Sequence, residues 1–309
     1  MKKLADFLWP TQRQLFAMLR KMYKEKALAR KGAYLLVQGE APVLLVAHLD
    51  TVHKEPVRII CASEDGSILM SPQGIGGDDR CGVYVLAKAY ETSAKKPWLL
   101  FTCDEETGGI GARAFAEEYA KGKLPKKLGD LKCMVEIDRK GSRDAVYYDC
   151  ANEDFEAYIT GKGFQTAHGS FSDISILAPA LGVAAVNLSA GYYNPHTLHE
   201  RINCKELEQI AEKVAEIVAD AAGEEFPRHE YAASPYGWGG FDEDELERGD
   251  YGGLWGRDKG TQIVTPLKYR DMYQKLLRFY EKEELDAYRH VYGEWAIAEL
   301  YADAFGRSR

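Results

Sequence analysis

The sequence predicts an α/β fold of three layers, in which a mixed, mostly parallel sheet lies between two layers of helices. Short apolar runs typical of buried strands alternate with stretches of helical periodicity, and the connections between them are short. Clusters of His, Asp and Glu directly follow several of these apolar runs. Because ligands bind at the carboxyl ends of the strands in such sheets, these clusters are the candidate functional residues.

The predicted elements follow the same alternation along the chain. An amphipathic, charge-rich helix pattern occupies residues 1–31. The predicted strands are residues 34–38, 43–47, 58–62, 67–70, 98–102, 132–137 and 184–188, with 58–62 and 67–70 paired as a hairpin. The predicted helices after the N-terminal one are residues 81–92, 112–120 and 203–222.

Composition excludes several classes of protein. The 309-residue chain has a formal net charge of −8, whereas a nucleic-acid-binding surface is basic, so no nucleic-acid partner is expected. No apolar run reaches about 18 residues, so no membrane span is predicted. The N-terminus lacks the apolar stretch of a secretory signal, and the six cysteines are scattered without a CxxC pair. A cytoplasmic location is therefore expected.

The first polar cluster is an HxD pair at the end of an apolar run. The predicted strand 43–47 places His48 at its carboxyl end, and Asp50 points to the same side. Imidazole is a good zinc ligand, and a carboxylate behind it can fix its tautomer by accepting the second N–H. A lone HxD pair is more often a surface or capping pair, so its meaning depends on the other clusters.

Two acidic pairs form the next clusters. Asp78 and Asp79 lie in a glycine-flanked turn before a predicted helix. Such a turn is usually a helix N-cap, but it also suits a carboxylate that bridges two metal ions. Glu105 and Glu106 follow the predicted strand 98–102. Since adjacent side chains diverge, one can bind a metal ion while the other serves as a general base.

The last clusters are Asp138, which ends a predicted strand, and a late segment that contains His196 and His199. Either histidine can supply a second imidazole. The five clusters together resemble the co-catalytic dizinc exopeptidases of the peptidase T and glutamate carboxypeptidase type, and the related bacterial leucyl aminopeptidases. The motifs HxD, GxDD, DEE, ExD and H[ST]xxE of that group all occur here in the same order, within about residues 30–222.

The resemblance implies two sets of metal ligands that share one aspartate. His48, Asp78 and Asp138 would hold one divalent ion, and Asp78, Glu106 and His196 would hold the other. In that group a peptide bond that is often cis follows the shared aspartate. Two Zn²⁺ ions are expected, with Co²⁺ or Mn²⁺ as alternatives.

The resemblance also implies roles in the chemistry. Asp50 would orient its histidine ligand, and Glu105 would be the general base that takes a proton from the attacking water. Tyr192 or Tyr193, just before the last ligand, is expected to bind substrate by donating to the developing oxyanion.

The remaining histidines are assigned by context. His196 is favoured over His199 as the ligand because it begins the H[ST]xxE motif. His53 is expected to be a loop histidine. His168 lies near a Ser-Asp segment that resembles the substrate-side loop of the family, and a structural role is the alternative.

The short interval between the last two predicted ligands reduces the number of peptidase types that the sequence can represent. Only 58 residues separate Asp138 from His196, so the dimerisation domain that many relatives insert there is expected to be absent. The predicted function is a metal-dependent exopeptidase, either an aminopeptidase or a small-peptide hydrolase, with a peptide or small amide as substrate. The alternatives are a hydrolase of N-acyl amino acids or other small amides, and a non-catalytic metal-binding or partner-binding protein on the same scaffold.

A change of composition near residue 223 predicts two domains. Residues 1–223 form the dimetal catalytic domain, and residues 224–309 an acidic, aromatic linker followed by a helical extension. The extension is expected either to cover the core or to serve as an arm that binds a protein partner or a second copy.

Overall fold

The computed structural model describes residues 2–233, apart from residues 54 and 170, and six residues between 273 and 285. In this part of the chain a large mixed sheet is covered by helices on both faces, which confirms the predicted α/β fold. No helix among these residues is long and apolar enough to cross a membrane.

The strands of the described chain fall into two sheets. They are β1 (Ala27–Arg30), β2 (Tyr34–Val37), β3 (Ala41–His48), β4 (Cys61–Ala62), β5 (Ile68–Met70), β6 (Pro97–Thr102), β7 (Cys133–Arg139), β8 (Asp144–Val146), β9 (Gln165–Thr166), β10 (Ala185–Ser189), β11 (Tyr192–Tyr193) and β12 (Arg201–Asn203). The central sheet has the order β1-β2-β6-β3-β7-β10-β8-β9, and the smaller sheet has the order β11-β12-β5-β4. The four middle strands, β6, β3, β7 and β10, run parallel, whereas β2 and β8 join them antiparallel.

The helices of the described chain flank the central sheet. They are α1 (Ala5–Leu8), α2 (Gln12–Tyr23), α3 (Gly77–Thr92), α4 (Ile110–Ala120), α5 (Glu153–Gly161), α6 (Asp173–Leu181) and α7 (Cys204–Ala221). Short 3₁₀ turns at Lys24–Lys26 and Lys126–Asp130 complete the connections.

Strand β3 shows how the sheet is buried on both faces. Val43 and Leu45 pack in the core that contains residues of α3 and α7, whereas Leu44 and Val46 pack in the core that contains residues of α4 and α6. All four side chains are fully buried, and burial of such side chains contributes about 1.5–3 kcal/mol each. The continuous apolar run is therefore that of a central strand, and its carboxyl end carries His48.

The N-terminal pattern forms two helices and a strand instead of the expected helix over residues 1–31. Pro10 cannot continue α1, and Thr11 begins α2 with a capping box, in which its hydroxyl accepts the Gln14 N–H at 3.4 Å. Helix α2 ends at Tyr23, and β1 pairs with β2. The helix prediction is wrong for β1 because this edge strand is mostly exposed, so its sequence shows no alternation of buried and exposed residues that would indicate a strand.

Most other predicted elements are present. The five long apolar runs form β2, β3, β6, β7 and β10, and the predicted hairpin is β4 and β5, although both are shorter than expected. Elements that the sequence did not predict are short or polar, namely α5, α6, β8, β9, β11 and β12.

The chain divides into the units Met1–Tyr251 and Gly252–Arg309. Residues 224–233 belong to the first unit, where Glu230 bridges to Val183. In the second unit the Leu277 N–H donates to the Tyr273 carbonyl at 3.1 Å, as in a turn of helix. The functional boundary at residue 223 stays a prediction, and residues 234–265 of the predicted linker lie outside the described residues.

Candidate metal centre

Three predicted ligands meet at the carboxyl ends of β3 and β7. His48 and Asp138 lie on these strands, and Asp78 comes from the start of α3. His48 is buried, and its Nε2 lies 3.1 Å from Asp78 Oδ1 and 3.4 Å from Asp138 Oδ1. Val46 pairs with Glu136 in the parallel register of β3 and β7, so the residues two positions further on, His48 and Asp138, also meet side by side. The strand register thus places this imidazole and carboxylate on the same face.

A second group forms around the other oxygen of the same aspartate. His196 Nε2 lies 3.2 Å from Asp78 Oδ2 and 3.2 Å from Glu106 Oε1. Glu106 comes from the loop after β6, and His196 from the loop between β11 and β12. The two oxygens of Asp78 therefore face different imidazoles, as those of a bridging carboxylate do.

The donor spacings fit divalent metal ions. In a tetrahedral site with bonds of about 2.0–2.1 Å, the ligand atoms lie about 3.3 Å apart. The four pairs of atoms described above lie 3.1–3.4 Å apart. Two further combinations of the described residues also have ligand atoms within 4.8 Å of one another, namely His48 with Asp78 and Glu106, and His48 with Asp79 and Asp138, so the carboxylates around His48 lie close enough together to hold a metal ion. Glu106 Oε1 is buried and, among the described residues, has only His196 Nε2 as a polar contact, so a cation shared by the two atoms would complete it.

The electrostatics of the cluster favour positive charge. Against the lowering effect of burial, the carboxylates of Asp78 and Glu106 raise the pKa of His196 to about 12. Burial also lowers the pKa of His48, but the surrounding carboxylates, Asp138 first, hold it well above its ordinary value. Burial and the charge of Asp78 raise the pKa of Asp138 to about 7. The cluster is therefore rich in buried negative charge, which a divalent ion would stabilise.

Asp50 connects the first histidine to the acidic pair after β6. Its Oδ1 lies 3.3 Å from His48 Nδ1 and accepts the Glu105 N–H at 3.1 Å, and its Oδ2 accepts the Glu106 N–H at 3.0 Å. Burial acts to raise the pKa of Asp50, but the hydrogen bonds from His48 and the two backbone groups lower it overall. An ionised Asp50 is therefore suited to orient this imidazole.

Glu105 belongs to neither set of predicted metal ligands, but its carboxyl group interacts electrostatically with members of both sets. Burial raises its pKa well above its ordinary value, opposed by the charge of His48 and reinforced by Asp138 and Asp173. A carboxylate with a raised pKa is a stronger base, which suits it to take a proton from water near neutral pH.

The non-helical turn at the start of α3 carries Asp78, the predicted bridging aspartate. The peptide bond between Asp78 and Asp79 is cis, as the resemblance implies. Asp79 is buried and accepts the backbone N–H groups of His48 at 3.3 Å and Gly82 at 2.9 Å. A Cβ on Gly82 would lie 2.1 Å from the Ile137 carbonyl oxygen, so only glycine lets α3 approach the backbone of β7 here.

The two tyrosines expected at the substrate occupy different environments. Tyr192 is buried and its hydroxyl donates to Asp138 Oδ1 at 3.3 Å, which places it at the cluster. The hydroxyl of Tyr193 donates instead to Glu206 in α7, and its ring stacks with Arg201 at 4.8 Å. The geometry therefore favours Tyr192 over Tyr193 as a substrate contact.

The histidines separate clearly in the structure. His196 contacts Asp78 and Glu106, whereas the side chain of His199 is exposed and belongs to neither set of predicted ligands. His168 is exposed, and its carbonyl accepts a hydrogen bond from Arg139 at 2.8 Å. His53, expected to be a plain loop histidine, contacts the buried Glu200 at 2.9 Å.

Two supporting residues were missed by the sequence reasoning. Asn187 on β10 accepts the Asp138 N–H at 2.9 Å and therefore holds the backbone of this predicted ligand. Glu200, the final letter of the H[ST]xxE motif, accepts the Asp78 N–H at 2.9 Å. The motif position was a signal for Glu200, whereas an Asn inside an apolar strand was the only signal for Asn187.

The fold is similar to that of solved peptidase structures, at low sequence identity. Aminopeptidase PepT from Bacillus cereus ATCC 10987 aligns with a TM-score of 0.54 and 14% identity, over 71% of this chain and 97% of that chain. A tripeptidase from Staphylococcus aureus subsp. aureus Mu50 gives 0.52 and 16%, over 71% and 96%. The TET aminopeptidase from the marine sediment archaeon Thaumarchaeota archaeon SCGC AB-539-E09 gives 0.53 and 12%, over 70% and 96%. No protein-family profile matches the chain, and no curated protein matches its sequence.

Proposed function

We propose that this chain is a metal-dependent exopeptidase, an aminopeptidase or small-peptide hydrolase with a two-ion centre. One observation carries the proposal. The two oxygens of Asp78 lie 3.1 and 3.2 Å from the Nε2 atoms of His48 and His196, and each Nε2 atom has one further carboxylate beside it. This arrangement is that of two metal sites that share a bridging ligand.

The ligand sets follow from these distances. His48, Asp78 and Asp138 would hold one ion, and Asp78, Glu106 and His196 the other. When bound, a pair of divalent ions lowers the pKa of water and polarises a scissile carbonyl. Zn²⁺ suits the mixture of imidazole and carboxylate, and Co²⁺ or Mn²⁺ are the alternatives.

Glu105 is assigned as the general base. It would take the proton of the attacking water and return it to the leaving amine. The backbone N–H of Glu105 is held by Asp50 Oδ1 at 3.1 Å, and the same oxygen lies 3.3 Å from the Nδ1 of His48. Asp50 therefore fixes the base and the first imidazole ligand relative to each other.

Tyr192 is assigned as the donor to the developing oxyanion. Its hydroxyl lies 3.3 Å from Asp138 Oδ1, so it already reaches the edge of the first ligand set. A buried hydroxyl aimed at the reacting carbonyl stabilises negative charge without reorganisation. Tyr193 stays a weaker prediction because its hydroxyl is engaged by Glu206.

The comparisons support a peptide substrate, and the elements between two of the proposed ligands support the predicted domain organisation. The fold neighbours described above are named as aminopeptidases and a tripeptidase. The residues between Asp138 and His196 form β8, α5, β9, α6, β10 and β11, which supports a core without the inserted dimerisation domain. A cytoplasmic location and an oligomer formed through the C-terminal extension stay predictions.

A substrate panel with a matched variant tests the proposal. Chelator-treated protein is reloaded with Zn²⁺ or Co²⁺ and assayed on di- and tripeptides with free amino termini, on their N-acetylated forms, and on N-acyl amino acids. We expect turnover of the free peptides, and we expect Glu105→Gln to lower kcat by about 10²–10⁴-fold with both ions retained.

Glu117→Gln is the control because Glu117 is exposed on α4 and its side chain is paired with Lys121. Preferred cleavage of the N-acyl substrates would favour the amidohydrolase alternative. Near wild-type activity of Glu105→Gln would remove the base assignment, and a reloaded protein that hydrolyses none of the substrates would support the non-catalytic alternative.

A further inference from the structure

Glu200 is fully buried, and both of its carboxylate oxygens are engaged. Oε1 accepts the Asp78 N–H at 2.9 Å, and Oε2 accepts the Gly76 N–H at 2.8 Å. Oε2 also lies 2.9 Å from Nε2 of His53, whose ring N–H can donate to it. These lengths are those of charge-assisted hydrogen bonds, which are stronger than neutral ones.

The partners of Glu200 lie on three different segments. Glu200 ends the loop 194–200 that carries His196, and His53 lies in the loop that follows Asp50. The two backbone N–H groups belong to the turn that carries the bridging Asp78. One buried carboxylate therefore joins three segments that each carry a residue of the proposed centre.

The His53 ring lies directly against Gly74. A Cβ on Gly74 would lie 2.2 Å from the Cε1 and Nδ1 atoms of the ring, so a larger residue at this position would displace it. The ring therefore lies between Gly74 and Glu200, and Glu200 is bonded to the backbone of the turn that begins α3.

The two ligand sets depend on these segments to different degrees. In the first set, His48 and Asp138 are held by the strands β3 and β7. In the second set, Glu106 and His196 both come from loops, and the side chain of His196 is 28% exposed against 1% for His48. Loss of the contacts made by Glu200 should therefore disturb the second set more than the first.

We propose that Glu200 and His53 are positioning residues that set the affinity of the second ion, the one assigned to Asp78, Glu106 and His196. The inference rests on the proposed two-ion centre. Neither residue belongs to a proposed ligand set. Glu200 acts through the backbone of the turn that carries Asp78 and through the loop of His196, and His53 acts through Glu200.

Three variants separate this role from general destabilisation. His53→Phe keeps a planar ring against Gly74 and removes the donor to Glu200. His53→Gln restores a side-chain N–H and is the rescue variant. Glu200→Gln keeps the shape and replaces one acceptor oxygen by an NH₂ group that faces donors. His199→Phe is the matched control, since that side chain is exposed on the same loop.

The measurement is a titration of chelator-treated full-length protein with Co²⁺, followed by its visible absorption, with a competing chelator to obtain both dissociation constants. We assign the weaker of the two dissociation constants to the second ion, because two of its ligands come from loops. In His53→Phe and Glu200→Gln we expect this ion to lose about 10- to 100-fold in affinity, while the first ion is unaffected. His53→Gln should recover most of the loss, His199→Phe should match wild type, and saturating Co²⁺ should restore kcat.

Three results would overturn the inference. Unchanged affinity for both ions in His53→Phe and Glu200→Gln would reject it and leave the proposed function intact. An equal loss at both sites, with a lower melting temperature, would show general destabilisation instead. A wild-type chain that binds no Co²⁺ would reject both the inference and the proposed two-ion centre.

Discussion

Asp50 Oδ1 lies 3.3 Å from His48 Nδ1 and accepts the Glu105 N–H at 3.1 Å. One oxygen of Asp50 therefore contacts both a proposed metal ligand and the backbone of the proposed base.

In Asp50→Asn an NH₂ group would face at least one N–H donor, so we expect kcat/KM to fall about 10- to 100-fold. Steady-state kinetics with bound zinc measured in parallel checks this. Asp104→Asn is the control. Its amide oxygen can still accept the hydrogen bond from the Gln12 side chain, so its kcat/KM should be close to that of wild type. Equal activity of the two variants would contradict the role of Asp50.

The choice between the two late histidines is directly testable. His196 Nε2 lies 3.2 Å from both Asp78 and Glu106, whereas the side chain of His199 is exposed. His196→Gln should bind one ion fewer per chain and lose more than about 100-fold in kcat/KM, because a ligand matters more than the groups that orient it. His199→Gln should retain both. Metal analysis after dialysis measures the number of ions bound per chain in each variant. Loss of an ion from His199→Gln alone would assign the ligand role to His199 instead of His196.

The buried carboxyl groups predict how the stability of the chelator-treated protein depends on pH. Burial raises the pKa of Asp138 to about 7 and that of Asp173 to about 6, the latter opposed by a hydrogen bond from Thr102. Both values lie above the unfolded value of about 4, so between pH 4 and 7 the folded state binds more protons. The free energy of unfolding should therefore fall as the pH rises through this window.

Asp173→Asn removes one of these groups and should reduce that fall. Urea unfolding at pH 5 and pH 7 gives the comparison, with wild type treated in the same way. If the variant and wild type lose the same free energy of unfolding between the two pH values, Asp173 does not contribute to the pH dependence.

Residues 224–233 should be required for stability. Arg228 Nη1 donates to the Gly129 and Leu131 carbonyl oxygens at 2.6 and 2.8 Å, and the His229 N–H donates to the Lys132 carbonyl at 2.8 Å. A chain that ends after residue 223 loses these bonds and should be less stable by about 3 kcal/mol or more. A chain that ends after residue 233 should keep them. Thermal and urea unfolding test this, and equal stability of the two truncations would refute it.

The contact between α3 and β7 predicts a large effect of a small change. Gly82→Ala places a Cβ about 2 Å from the Ile137 carbonyl oxygen, so we expect a loss of about 2 kcal/mol or more. Gly161→Ala, at the end of α5, meets nothing within 4 Å and is the matched control, with an expected gain of about 0.5–1 kcal/mol. Urea unfolding compares the two. Similar effects of both changes would show that α3 can move away from β7.

Sequence reasoning identified the elements that are defined by burial alone. The run that forms β3 is apolar at almost every position because both faces of that strand are covered, and so the position of His48 at its end was predictable. The same argument located Glu106 and Asp138 after buried strands. Short edge elements such as β8 and β9 carry no such pattern, since two or three residues show neither period.

Contacts between distant segments could not be predicted in this way. His53 and Glu200 are separated by 147 positions, and nothing around His53 indicates that its ring meets a buried carboxylate. The distinction between Tyr192 and Tyr193 depends on the pleat of β11, which directs one hydroxyl to Asp138 and the other to Glu206. Motif order therefore gives the members of the site, and only the fold gives their supports.

The approach of α3 to β7 at Gly82 sets a condition on any attempt to move this centre to another protein. The turn that carries Asp78 begins α3, and Asp138 lies one residue beyond the Ile137 carbonyl that α3 meets. The separation of the two carboxylates is thus fixed by how closely a helix lies on a strand. A designer who grafts the five ligands without that helix–strand contact would copy the chemistry and lose the spacing.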